Sequence, residues 1–244
     1  MELKICHLYP DILSLNGDRG NILSLCHRLE QRGISVSVTT LPCGGTADLS
    51  EFDLFFIGGG QDFNMEALVA DLKDGRAEDI RAAVENGKTV LAVCGGYIAM
   101  CREFIDHEGK SHELIGAIDA VTTEGVKRLT GNCLFECSGS KVAGFEHHTG
   151  QTVLGSGCES LGKVLVGYGN DAESKEAGAR YKNVFATYVN GPILPKNPEF
   201  CDLILRTALE HKYGAVELKP LEDKFENAAH RYMVERLSAN EAGR

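Results

Sequence analysis

The chain has 244 residues, 43% of them hydrophobic, which is enough to bury a sizeable core, and its texture fits one large α/β domain over residues 1–244. Thirty-five acidic against 25 basic residues give a net charge of −10, the wrong sign for coating a phosphate backbone. No apolar run approaches the roughly 18 residues that span a bilayer, MELKICHLYP lacks a basic-then-apolar signal pattern, and nine cysteines without a Cys-x-x-Cys pair exclude a disulfide framework and a zinc ribbon, so a soluble, cytoplasmic protein is expected.

Leu3 to His7 reads as a strand, and Asp18-Arg19-Gly20-Asn21 leads into a helix whose apolar face is Ile22, Leu23, Leu25, Cys26 and Leu29, closed by Gly33. Ile34 to Leu41 alternates apolar and polar positions, the period of a strand. The continuous apolar run Asp53 to Ile57 stops at Gly58-Gly59-Gly60, as a buried parallel strand does on entering a loop. Helices are expected near Asn64 to Leu72 and Ala77 to Asn86, then a strand over Thr89 to Val93 and a helix from Gly95 through Met100.

From Ile115 to Val166 the runs become shorter, β-like and broken by glycine, which predicts an antiparallel extension of the sheet; Asn170 to Gly178 is charged and reads as a surface loop. Asn197-Pro198 has the form of a helix start, and Cys201, Leu203, Ile204, Leu205, Ala208 and Leu209 carry that helix to Gly214. The stripe Phe225, Ala228, Ala229, Tyr232, Met233 and Leu237 on a last amphipathic helix is expected to pack on the core. The fold class that results is α/β, an open and mostly parallel sheet flanked by helices, with the antiparallel extension.

The chemistry centres on Cys94, which ends the run TVLAV and opens Gly95-Gly96-Tyr97. A thiol acts as thiolate, which electropositive surroundings favour, and backbone amides at the start of a helix provide them. By itself this is equally a tight strand-to-helix turn with a buried cysteine. The glycine triplet after the neighbouring strand adds a second possible backbone donor, and two convergent N–H groups make an oxyanion hole for acyl transfer.

These residues resemble the class I (triad) glutamine amidotransferases, in the cobyric-acid-synthase-like branch. FFIGGGQD at Phe55 to Asp62, CGGY at Cys94, DRGN at Asp18, RLTGN at Arg128, GFEHHTGQT at Gly144, GYGN at Gly167 and NGPILPKNPE at Asn190 narrow the likeness to the GatD-type glutaminase subunits. That resemblance implies a flavodoxin-like fold and release of ammonia from glutamine through a cysteinyl thioester. It implies Cys94 as nucleophile, Gly60 and Gly95 as oxyanion donors and Arg128 as a binder of the glutamine carboxylate. Read without the family, Arg128 is a surface salt-bridge residue. A Mur-ligase-like MurT partner is implied, amidating the D-glutamate of lipid II in peptidoglycan synthesis. ATP and magnesium belong to that partner, with no cofactor or metal in this chain, and the triad acid is supplied from the partner's side.

Where the family pattern reads Thr-Tyr-Leu-His-Gly-Pro, this chain reads Thr187-Tyr188-Val189-Asn190-Gly191-Pro192. An asparagine amide does not titrate near neutral pH, so it neither takes the thiol proton nor protonates ammonia, and weak or absent activity is expected. A natural paralogue with impaired chemistry, an engineered change, and recruitment of His147 or His148 as base all fit. Two other functions fit the same residues: a non-catalytic glutamine-binding or partner-supporting module, and a corrinoid-type amidotransferase.

Overall fold

The computed structural model describes residues 1–15, 17–60 and 65–241, with side chains up to 239; Gln61 and Asp62 of the glycine motif, and Asn64 of the expected helix, lie outside the described residues. In chain order the elements are β1 (Glu2–Leu8), α1 (Arg19–Glu30), β2 (Ser35–Leu41), β3 (Leu54–Ile57), α2 (Met65–Asp71), α3 (Ala77–Glu85), β4 (Thr89–Val93), α4 (Gly95–Met100), β5 (Glu103–Ile105) and β6 (Ser111–Glu113). They continue with β7 (Ala120–Cys137), β8 (Ser140–Leu154), β9 (Lys163–Val166), β10 (Ala179–Tyr181), β11 (Val184–Thr187), α5 (Pro198–Tyr213) and α6 (Lys224–Glu241).

Six strands form the main sheet in the order β10-β11-β4-β3-β1-β2, parallel except for β10. β3, β4 and β11 are buried along their whole length because both faces of the sheet are covered, which is why their sequences are continuous apolar runs. Phe55, Ile57, Val90 and Ala92 face one core with Leu68, Ile80, Val84 and Tyr97, whereas Leu54, Phe56, Leu91 and Val93 face another with Ile22, Leu25, Leu29, Ile204 and Leu205. β2 is an edge strand and mostly exposed, so its alternation marks the sheet period without a buried face.

The antiparallel region forms a sheet of its own. β6-β5-β7-β8, with β9 on β7, make this second sheet, and it meets the first through isolated bridges such as Phe145 with Asn190. The antiparallel addition to the main sheet is β10 alone. The reason lies in strand length: β7 and β8 run 18 and 15 residues and pair with each other, so they satisfy their backbone without the parallel sheet.

Three local expectations change. Leu23 is exposed, so the packed face of α1 is Ile22, Leu25 and Leu29 with Asn21 and Arg28. Asn197 stands at the N-cap position of α5, as expected, but its side chain makes no cap hydrogen bond and instead brackets Ala143 of β8, accepting from its N–H and donating to its carbonyl, each at 2.8 Å. The stripe on α6 packs only in part: Met233 and Leu237, with Val234, lie against Leu134, Ala143, Leu165 and Val166, whereas Phe225 and Tyr232 are exposed. Among the described residues no helix is long and apolar enough to cross a membrane.

Candidate active site

Three adjacent parallel strands end together. Ile57 of β3 stands beside Ala92 of β4, and Thr187 of β11 beside Val93, so Gly58–Gly60, Cys94 and Tyr188–Asn190 emerge side by side at the carboxyl edge of the sheet. Ligands of open α/β sheets bind in this crevice.

Cys94 has φ 51 and ψ −106, a conformation that is strained for a residue with a side chain and marks a sharp elbow between β4 and α4. The elbow is fixed from both sides: Cys94 N–H donates to Thr187 O at 2.8 Å, and Gly96 N–H donates to Gly58 O at 2.9 Å. A methyl group at residue 95 would lie 3.0 Å from Gly60 N and 2.8 Å from Leu13 Cδ2, so glycine there lets the two candidate amide donors approach each other.

Gly60, Cys94, Arg128, His147 and His148 line one cavity of about 320 Å³, which also includes Met65, Ile98 and Phe104 and, at its outer end, Asp106, His112 and Glu124. That volume suits a small polar metabolite. Arg128 reaches it from a bulge in β7, where residues 125–128 have no counterpart opposite Thr149 of β8. Such a bulge re-aims a side chain that a regular strand would leave on the sheet face.

The electrostatics of the thiol depart from the sequence expectation. Burial, and then the charge of Asp18, push the Cys94 thiol up to about 11, against the Gly95 N–H, the Asn190 side chain and the charge of Arg128. Amides at the start of the six-residue α4 do not offset desolvation of a sulfur that is 5% exposed.

Asn190 is buried, exchanges backbone hydrogen bonds with Phe145 and donates its side-chain amide to Tyr188 O at 3.4 Å. Of the two neighbouring histidines, His147 accepts from Arg128 Nη1 at 3.4 Å and hydrogen-bonds Thr130 Oγ1 at 3.0 Å, while its backbone carbonyl lies 3.9 Å from Cys94 Sγ. His148 donates from Nδ1 to Gly150 O at 2.7 Å and stacks on Tyr188 at 3.7 Å, and burial pushes its imidazole down to about 4. A neutral imidazole of such low basicity is a poor acceptor for a thiol proton.

Sequence reasoning did not single out Asp18, Asp106, His112 or Glu124 as site residues. Asp106 and His112 pair at 2.8 Å on the β5–β6 hairpin, whose short strands carry no strong sequence period. Asp18 was legible only as the residue before a helix, yet its carboxylate accepts from Gly59 N–H at 2.5 Å instead of capping α1.

The model of the CobB/CobQ-like glutamine amidotransferase domain matches residues 4–198, which contain all of these segments. The chain belongs to that family. Among relatives of this glutamine amidotransferase, the lipid II isoglutaminyl synthase (glutamine-hydrolyzing) subunit GatD of Staphylococcus aureus (strain N315) is 36% identical over 244 residues, covering 100% of this chain and 99% of that protein. The protein of the same name from Streptococcus pneumoniae (strain ATCC BAA-255 / R6) is 35% identical over 226 residues, 91% of this chain and 86% of that one. In fold, the family member resembles the solved PurLQS structure from Thermotoga maritima, with a TM-score of 0.60 at 16% identity over 87% of this chain and 100% of that chain.

Proposed function

We propose that this chain is the glutaminase subunit of an amidoligase acting in peptidoglycan synthesis, with Cys94 as nucleophile. One observation carries the reading: a strained cysteine elbow, the Gly60 loop and Arg128 share a single cavity at the sheet's carboxyl edge, with Gly95 packed directly against Gly60.

In that reaction the Cys94 sulfur attacks the carboxamide carbon of glutamine. A C–S bond forms and the carbonyl oxygen becomes an oxyanion, which Gly60 and Gly95 N–H groups receive. The C–N bond then breaks, nitrogen departs as ammonia carrying the thiol proton, and water cleaves the thioester to glutamate. Arg128 grips the α-carboxylate as a guanidinium fork. The ammonia serves a Mur-ligase-like, MurT-type partner that spends ATP with magnesium to amidate the D-glutamate of lipid II; the names of both relatives support that destination.

The slow point is the proton. With the thiol near 11, on the order of one sulfur in 10⁴ is ionised at neutral pH, and Asn190 offers no titrating group at the family's histidine position. Turnover is therefore impaired in this chain. The same observation favours a second reading, a module that binds glutamine and supports its partner without hydrolysing it. A diazoketone analogue of glutamine separates the two, because it alkylates a nucleophile placed to attack the carboxamide carbon. Labelling at Cys94 that excess glutamine prevents is expected for the glutaminase; an occupied site, with glutamine binding intact and no label on Cys94, sinks it.

A further inference from the structure

The turn that leads into α1 touches both loops that flank Cys94. Asp18 is fully buried, its Oδ2 accepting from Gly59 N–H at 2.5 Å and its Oδ1 from Asn21 Nδ2 at 3.4 Å. A methyl group at Gly58 would stand 2.6 Å from Asp18 Oδ2, so the carboxylate lies directly against the glycine loop. Leu15 N–H donates to Gly59 O at 2.8 Å from the same turn. On the other side, Asn21 Oδ1 accepts from Leu194 N–H at 2.9 Å, and a methyl group at Gly20 would meet Pro192 Cγ at 2.7 Å. One short turn thus holds the 58–60 loop and the segment after Asn190 in fixed relation.

A carboxylate in this position is costly, since burying a charge away from cations disfavours it strongly, and among the described residues no lysine, arginine or histidine forms an ion pair with Asp18. The mechanism above does not use it. We propose that Asp18 is a positioning residue of the Cys94 site: it fixes the Gly59 peptide that presents the Gly60 amide, and its charge opposes a second negative charge on the Cys94 sulfur. The inference rests on reading Cys94 as the nucleophile.

Burial pushes Asp18 up to about 7, against the pull of the Gly59 N–H and the Asn21 amide, and its charge in turn raises the thiol. The other groups around the sulfur are Arg128 from β7, which favours the thiolate, the non-titrating Asn190, and the neutral His148 of β8 that shares the cavity. Burial does most to keep the resting thiol protonated, and the charge of Asp18 adds to it.

The test is the pH dependence of iodoacetamide alkylation at Cys94 in the full chain, read by peptide mass spectrometry for the unmodified protein, Asp18→Asn and Asp18→Ser. Asp18→Asn keeps an oxygen to accept the Gly59 N–H and loses the charge, and Asp18→Ser loses the charge on a shorter side chain. The alkylation midpoint is expected to fall by about one pH unit in each; an unchanged or higher midpoint in a folded variant overturns the proposal. Should neither variant fold, amide exchange at Gly59 in the unmodified chain decides: strong protection is expected, and exchange at open-loop rates contradicts the clamp. If the midpoint falls while the diazoketone labels Cys94 in none of the proteins, the Asp18 coupling stands and the glutaminase reading fails.

Discussion

At the scale of single residues, the site separates holding glutamine from moving protons. Arg128 sits on a bulge and lines the cavity, so the grip on the α-carboxylate proposed for it does not depend on the identity of residue 190. Charge-assisted hydrogen bonds of this kind contribute about 1.5–3 kcal/mol, so Arg128→Gln should weaken glutamine binding roughly 10- to 100-fold in calorimetry. Arg128→Lys should recover only part of that loss, because an ammonium lacks the planar fork. Equal affinity in all three proteins would remove Arg128 from the binding site. Proton transfer, in contrast, has no titrating carrier against the sulfur among the described residues: Asn190 does not titrate, His147 is engaged with Arg128 and Thr130, and His148 is held neutral by burial.

At the scale of elements, the parallel sheet was legible in the sequence because buried strands leave long apolar runs that end in glycine. β3 and β4 lie where DLFFI and TVLAV place them, and the elbow follows at Cys94. The second sheet was legible only as β texture. Its long hairpin depends on pairing between distant residues such as Leu129 with His148, and no local period encodes which sheet a strand joins. Several matched segments act as scaffold here: Glu146 of GFEHHTGQT accepts from Tyr168 and Gly169 N–H of GYGN, each at 2.8 Å, and Tyr97 of the elbow donates to Asn170 Oδ1 at 3.3 Å. α6 misled because its apolar residues are spread around a helix that rests on the second sheet near its end. Leu237→Ala should lower stability by about 2–3 kcal/mol, whereas Phe225→Ser should leave it within about 0.5 kcal/mol in chemical denaturation. A reversed order would mean that the face of α6 is wrongly assigned.

For the whole molecule, the cores on the two faces of the main sheet carry a stability that depends on keeping buried groups in their favoured ionisation states. His148 is 4% exposed, and burial holds it down to about 4 from its ordinary 6.5. A base with a depressed pKa binds fewer protons folded than unfolded, so stability is full above the unfolded value and declines as pH falls from about 6.5 toward 4. His7, lowered by burial as well, acts in the same direction. Asp202 is half-buried, but hydrogen bonds from Arg28 and Arg32 outweigh that burial and hold its carboxyl below the usual range, so its contribution is lost at still lower pH. Replacing His148 with Gln should flatten the decline of the thermal midpoint between neutral and mildly acid pH; an unchanged slope would place the responsible group elsewhere.

On the proposed reading, Cys94, the Gly60 and Gly95 amides and the cavity serve glutamine hydrolysis, and the step left without a titrating group among the described residues is proton transfer. Ammonia release from glutamine by the unmodified chain and by Asn190→His, each with its ligase partner, tests it most directly. A positioned imidazole should raise the rate on the order of 10²–10⁴-fold, and the gain should vanish when Cys94→Ala is added. Equal and robust rates with asparagine and with histidine at residue 190 would contradict the account.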